Sequence, residues 1–523
     1  MNYADLFRVT LPETALEIAA LLVLIVDLGF LRKLALKVRV AVAALLGVTG
    51  CGAALWAIYA VYPSTMDLVP LDIGVQLNMF TVVPQTGILV LTAVSLLLFI
   101  DSDFTCNVGE YAAVVLMAAA GGLLVASAHD LLVIFIGLEL LSLGLYILTA
   151  FAKKSGKSAE AALKYYLFGG MSAAFLLFGF SYLYGLSGST NIYEIQRTIT
   201  ISGSSPLFIV AWILVVAGLG FKVAVVPFHL WAPDTYEGAP APAAAFIASV
   251  SKVASFALLL TLSLAWFMPN WMVEGDKVTL GRYFQSLYQT WPPLAIILLV
   301  VAVASMILGN LAALAQVSVR RLLAYSAIAH AGYILLGIAV MPSLSVFEGN
   351  GFSYHIVWML ARRSAAAVLY YILTYGLTTI GAFGVVSVVE RATGSDRLDS
   401  FLGLHKRNPL LASVLGVLFL SLAGIPPLVG FWAKFNLFAA VLGVSAGPVP
   451  FALVALAVAM SAVSLYYYLQ VLKRAYVMPA VDETPIKAHP VTLAVLVAIA
   501  AAVVVLGCFP ALLQGWIESF YPR

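Results

Sequence analysis

The chain has 523 residues, 63% of them hydrophobic and 10% charged, and a mean hydropathy of +1.05. That composition excludes a water-soluble domain with a solvated surface, so the bilayer is its solvent. The net charge of +3 comes from basic residues set beside apolar stretches, and forms no concentrated nucleic-acid-binding face.

A helix that crosses a bilayer needs about 20 apolar residues. Such stretches recur at 12–31, 38–60, 79–100, 111–128, 130–151, 165–186, 206–228, 241–266, 293–315, 322–340, 364–389, 409–439, 451–472 and 490–514. They predict an all-α polytopic membrane protein with about fourteen transmembrane helices. The first is not a cleavable signal peptide, because Glu13, Glu17 and Asp27 interrupt it and Arg32 and Lys33 follow it. Connections after odd-numbered spans hold sixteen basic residues, against seven on the opposite side with both termini included. The positive-inside rule therefore places odd connections in the cytoplasm and both termini outside.

The remaining four basic residues lie within spans: Lys164 in the sixth, Lys222 in the seventh, Lys252 in the eighth and Lys434 in the twelfth. Glu139 joins them in the fifth, with Ser142 the nearest polar exception. Ionisable groups at bilayer depth are costly unless paired, hydrated or neutral, so their recurrence in separate spans predicts a polar axis that moves charge. Lys164 and Lys222 are the available partners of Glu139, although Lys164 is near enough to a span end to snorkel.

Two stretches break the helical pattern. In 217–242 Gly218, Gly220 and Pro227 surround Lys222, and in 423–438 Gly424, Pro426, Pro427 and Gly430 precede Lys434. Proline removes a backbone donor and glycine weakens the helix, so both read as discontinuous helices facing a protein-lined or watery interior. Their spacing of five spans suggests an internal repeat. His229, just past the first break, and His330, deep in the tenth span, can relay a proton through either ring nitrogen. Ser326 and Tyr325 are candidate hydroxyl relays beside His330, although a serine bonded to its own helix backbone is an equal alternative.

Cys51, Cys106 and Cys508 are far apart and form neither a metal spacing nor a disulfide framework. No nucleotide loop, dinucleotide fingerprint or serine elbow is present, so any redox or ATP chemistry belongs to another subunit.

Four blocks carry a family resemblance: KSAEAALKYYLFGGMSAAFLLFGFSYLYGLSG, GLGFKVAVVPFHLWAPDTYEGAP, VSVRRLLAYSAIAHAGY and LSLAGIPPLVGFWAKFNLF. Together, and in this order, they resemble the antiporter-like membrane subunits of respiratory complex I, NADH-quinone oxidoreductase, and most closely its subunit N type. The resemblance implies a proton-translocating subunit with two inverted five-helix repeats and broken helices 7 and 12. It implies that Glu139 pairs with Lys222 to gate transfer, with Lys164 near that pair. Lys252 and His330 then lie on the connecting axis, and Lys434 leads to the outer exit. A lysine rather than a glutamate at Lys434 favours subunit N over subunit M and the related antiporters.

The same resemblance implies no cofactor in this subunit, with NADH, FMN, Fe–S clusters and quinone held by partner subunits. It also implies K-like and M-like neighbours, lipid contact and no direct NADH binding, in a bacterial inner membrane. The expected organisation is an N-terminal three-helix segment (1–105), a first repeat (106–266), a second repeat (267–475) and a last helix (476–523). The 8–9 connection and the 341–363 segment read as outer loops. Rival readings are a subunit of a multi-subunit Na⁺/H⁺ antiporter or of a membrane-bound hydrogenase, and a purely structural scaffold.

Overall fold

The computed structural model describes residues 7–65, 74–76, 78–202, 205–267, 277–340, 354–444, 448–480 and 482–520. Both termini, residues 268–276 of the 8–9 connection and residues 341–353 lie outside the described residues; the rest of the two expected outer loops is helical, since Lys277 and Tyr354 each open the helix that follows and lengthen it beyond the apolar run.

The described spans are α1 (Leu11–Ile25, continued by a π-helical turn Val26–Leu31), α2 (Leu36–Thr65), α3 (Met79–Phe99), α4 (Val108–Ser127), α5 (Leu131–Thr149) and α6 (Gly156–Ser187). The seventh consists of α7a (Pro206–Val223) and α7b (Trp231–Gly238). Next come α8 (Ala241–Phe267), α9 (Lys277–Leu314), α10 (Val319–Val340) and α11 (Tyr354–Thr393). The twelfth is again split, into α12a (Pro409–Ala423) and α12b (Val429–Val444), before α13 (Pro448–Tyr476) and α14 (Pro490–Cys508). Thirteen of these helices are long and apolar enough to cross a membrane, and the α12 halves make up the remaining span. Among the described residues extended pairing is limited to isolated bridges.

Local chemistry fixes the helix ends. Ser205 and Asn408 cap α7a and α12a through their side chains, each followed by a proline at the first helical position, where its missing N–H is harmless. Both half-helices then stop in a left-handed residue, Ala224 at φ 56° and Gly424 at φ 87°. The broken backbone is satisfied by neighbours, as hydrocarbon requires. Ser305 of α9 accepts the Val226 N–H at 2.9 Å, and Ser421 accepts the Gly430 N–H at 3.2 Å.

The two repeats share packing details. Gly121 on α4 lets the backbone of α5 approach so closely that a Cβ there would fall 2.6 Å from the Leu141 nitrogen. Gly309 on α9 does the same to α10, where the Ala329 nitrogen would also be 2.6 Å away.

The odd connections gather on one face. Arg391 bonds to Asp101 and to the Lys487 carbonyl, Ser318 bridges Arg397, and Arg407 donates to the Thr484 carbonyl at 3.2 Å. On the other face Val75 bridges Ala128, and Asp130 bridges Asn191. Helices α8, α10 and α11 are enclosed by the rest, whereas α1, α6, α13 and α14 turn much of their apolar surface outward.

Candidate functional site

Glu139 lies midway along α5, and Lys222 is the penultimate residue of α7a. Their Oε1 and Nζ atoms are 4.0 Å apart, with Lys222 7% exposed and Glu139 29%. Ser142 lies one turn on from Glu139; its hydroxyl accepts from Lys222 Nζ at 2.5 Å and donates to the Leu138 carbonyl. Opposite charges at this separation attract by roughly 4 kcal/mol at an effective dielectric near 20, before desolvation is counted. The sequence noted Ser142 only as an exception to apolar surroundings; here it is a hydrogen-bond partner of Lys222.

Lys252 and Lys434 occupy equivalent chemical positions. Lys252 of α8 is buried and donates to the Val223 carbonyl, the last of α7a. Lys434 of α12b is buried and donates to the Leu422 and Ala423 carbonyls, at 3.2 and 3.0 Å, at the end of α12a. A further bond of 2.8 Å joins Lys434 to Ser461 of α13. The end of a half-helix carries unpaired carbonyls and partial negative charge, so an ammonium is well placed there without any carboxylate.

His330 sits on α10 and is buried. Its Nδ1 meets the Tyr371 hydroxyl at 2.8 Å and its Nε2 meets the Tyr468 hydroxyl at 3.4 Å. Tyr468 in turn bonds to Ser326. Ser326 therefore reaches across to α13 instead of bonding its own helix backbone, and no hydrogen bond brings Tyr325 into the group among the described residues. Tyr375 packs on the imidazole at 4.9 Å between ring centroids. Close by, Asn310 donates to Tyr333 at 3.0 Å and accepts from Tyr467 at 3.1 Å, and Lys434 Nζ stands 5.5 Å from the centre of the Tyr333 ring. Sequence reasoning missed these tyrosines, which are spread over α10, α11 and α13 and read there as ordinary apolar bulk.

Lys164 lies apart from the Glu139–Lys222 pair. It is 41% exposed and bonds Glu160 and Asp234, each at 2.8 Å. Asp234 on α7b also takes Arg321 at 2.7 Å, while Glu237 takes Arg321 at 3.0 Å and Lys157 at 3.3 Å. The expectation of Lys164 as a partner for Glu139 is corrected by Asp234, 70 residues away in the sequence but folded beside it. His229 is buried in the turn between α7a and α7b, and among the described residues no hydrogen bond ties its ring to Lys222 or Lys252.

The arrangement is a row of amines, imidazole, hydroxyls and one carboxylate at mid-span depth, each able to take up or release a proton. Among the described residues no group of three or more His, Cys, Asp or Glu side chains converges to hold a metal ion.

A family model described as NADH:quinone oxidoreductase/Mrp antiporter, TM, matches residues 128–274, 279–352 and 351–461. The chain is 46% identical over 534 aligned positions to NADH-quinone oxidoreductase subunit N 2 of Acidobacterium capsulatum, covering 99% of each. It is 40% identical over 453 positions to NADH-quinone oxidoreductase subunit N 1 of Roseiflexus castenholzii, covering 84% of this chain and 79% of the relative. A chain of respiratory complex I from Thermus thermophilus with bound aureothin superposes with a TM-score of 0.74 at 30% identity, covering 96% of this chain and 98% of that one. A chain of the Mrp complex from Dietzia sp. shares the fold, with a TM-score of 0.72 at 22% identity over 97% of this chain and 96% of that one.

Proposed function

The chain belongs to the NADH-quinone oxidoreductase subunit N family, and from that membership we propose how its buried groups serve the translocation of protons. It is a multi-pass, proton-translocating membrane subunit of NADH:quinone oxidoreductase, coupled to chemistry that occurs elsewhere in the complex.

In our reading the Glu139–Lys222 pair is the gate. When a field change from a neighbouring subunit separates the pair, the freed Lys222 charge disfavours a second charge at Lys252, and the proton moves on through His330 to Lys434. What supports this is the matched placement of Lys252 and Lys434 on the two half-helix ends, with His330 lining the cavity beside Leu422, a carbonyl partner of Lys434. Lys164 and the α7b acids Asp234 and Glu237 then hold the half-helix in place on the odd face, and His229 borders the gate from the turn. Residues 106–266 and 267–475 form the two repeats, flanked by 1–105 and 476–523, a division supported by the matched glycine contacts and paired breaks.

NADH, FMN, Fe–S clusters and quinone belong to partner subunits, with K-like and M-like chains as membrane neighbours. The odd face, where the basic connections gather, lies in the cytoplasm of a bacterium and both termini lie in the periplasm. The antiporter alternative has the fold in its favour, but at 22% identity it is outweighed by 46% identity to a subunit N.

The test is NADH-driven proton pumping in vesicles carrying Lys222→Ala, with blue-native electrophoresis to verify assembly. An assembled complex with strongly reduced pumping supports the gate; normal pumping refutes it.

A further inference from the structure

We propose that Tyr468 and Tyr371 are the proton-relay partners of His330, so that the imidazole passes a proton through its own ring from the α13 side to the α11 side, toward Lys434. The proposal rests on the lysine-axis reading above and adds the groups that make its central step possible.

A structural histidine is usually fixed by one committed acceptor, a backbone carbonyl or a carboxylate, which locks its tautomer. Neither partner of His330 is of that kind. Tyr371 lies 2.8 Å from Nδ1 and Tyr468 lies 3.4 Å from Nε2, and a phenol hydroxyl both donates and accepts. Either tautomer is therefore satisfied by the same two neighbours, and switching between them loses no hydrogen bond. The ring is 4% exposed, so bulk water does not short-circuit this exchange.

Each end of the triad leads somewhere. Tyr468 is bonded to Ser326, one turn along α10 toward the odd face. Tyr371 lines a small cavity with His330, Thr374, Ser421, Leu422 and Gly430, with room for about one water. Leu422 is also a carbonyl partner of Lys434 Nζ, so the cavity abuts the broken end that holds the lysine. Tyr466, two positions from Tyr468 on the outward side of α13 and 58% exposed, makes a natural control.

The step balances without a redox partner. The Tyr468 O–H bond breaks as its proton joins Nε2, and the Nδ1–H bond breaks as that proton joins the Tyr371 oxygen. The original Tyr371 proton leaves into the cavity toward the Lys434 amine, while the Ser326 hydroxyl restores Tyr468 and takes up the incoming proton. One proton enters and one leaves, and the ring has exchanged tautomers; a flip of the imidazole, which breaks and remakes its bonds to Tyr371 and Tyr468, together with rotation of the two phenol hydroxyls, resets it.

The experiment uses the whole complex in proteoliposomes, measuring protons moved per NADH and the solvent deuterium isotope effect on turnover. Tyr371→Phe and Tyr468→Phe are expected to lower proton pumping by about tenfold or more and to change the isotope effect, while Tyr466→Phe stays near wild type. If both phenylalanine variants pump normally while Lys434→Ala does not, the tyrosine relay is overturned and the lysine axis stands. If Lys434→Ala also pumps normally, both fail. Should a phenylalanine variant not assemble, fluorinated tyrosine at position 371 retains the hydroxyl and makes it more acidic. The pH profile of pumping then shifts if the relay operates, and an unmoved profile overturns it.

Discussion

Lys252 and Lys434 each donate to the final carbonyls of a broken half-helix, Val223 for the first and Leu422 with Ala423 for the second. The two lysines come from different elements, α8 and α12b, yet meet the same chemistry. In both places the fold supplies backbone carbonyls, rather than a carboxylate, as partners for the amine.

Replacing Lys252 with methionine keeps the volume and removes the donor. The Val223 carbonyl then loses a partner in a buried site, which costs about 1–3 kcal/mol of stability. The expected outcome is an assembled complex with a lowered melting temperature and severely reduced proton pumping, checked by thermal unfolding and by dye-quenching assays on vesicles.

Glu139 lies at the limit of ion-pair distance from Lys222. Glu139→Asp draws the carboxylate back by one methylene and is expected to weaken pumping partially. Glu139→Gln removes the charge and is expected to weaken it more. Equal activity of both variants and the parent chain would remove Glu139 from the gate.

Lys164→Ala leaves Asp234 held by Arg321 at 2.7 Å and Glu237 held by Arg321 and Lys157, so among the described residues α7b keeps three of its four ion pairs. Pumping is expected to fall by less than about fivefold and to become more sensitive to salt, as for an exposed pair. Complete loss of pumping in the assembled complex would instead put Lys164 on the proton path.

His129 lies outside the spans, in the turn between α4 and α5, stacked on Tyr193 with its Nδ1 3.0 Å from the Ser127 carbonyl. Burial holds its pKa down to about 4, from an ordinary value of 6.5. Above that ordinary value the ring is neutral whether the turn is folded or not, and its packing is fully stabilising. As pH falls toward 4 the unfolded form takes up the proton first, so stability is lost, by up to about 3 kcal/mol. Melting of the solubilised complex between pH 7 and 4 should show a downward slope that His129→Gln makes shallower.

The helical fold and the breaks were legible because their causes are local. Pro227, Pro426 and Pro427 remove donors, and twenty-residue apolar runs have few alternatives in lipid. The buried lysines stood out by contrast with their surroundings. The partners of those lysines were hidden, because Val223 and Ala423 act through backbone carbonyls that any residue carries. The bond of Lys164 to Asp234 was hidden because nothing near Lys164 in the sequence announces that partner. The tyrosines around His330 were unreadable for the same reason: Ser326 and Tyr468 are 142 positions apart and meet only when α10 packs beside α13. Buried Asp27, held by Arg39 at 2.7 Å and by the Gly109 N–H at 3.0 Å, is another pairing of this kind.

The most direct test of the lysine axis is the number of protons pumped per NADH oxidised in proteoliposomes containing the assembled complex with Lys434→Met. The account predicts a ratio well below that of the unmodified complex, with quinone-linked oxidation slowed as well. An unchanged ratio at an unchanged rate would contradict it, leaving Lys434 as a cap on α12a and nothing more.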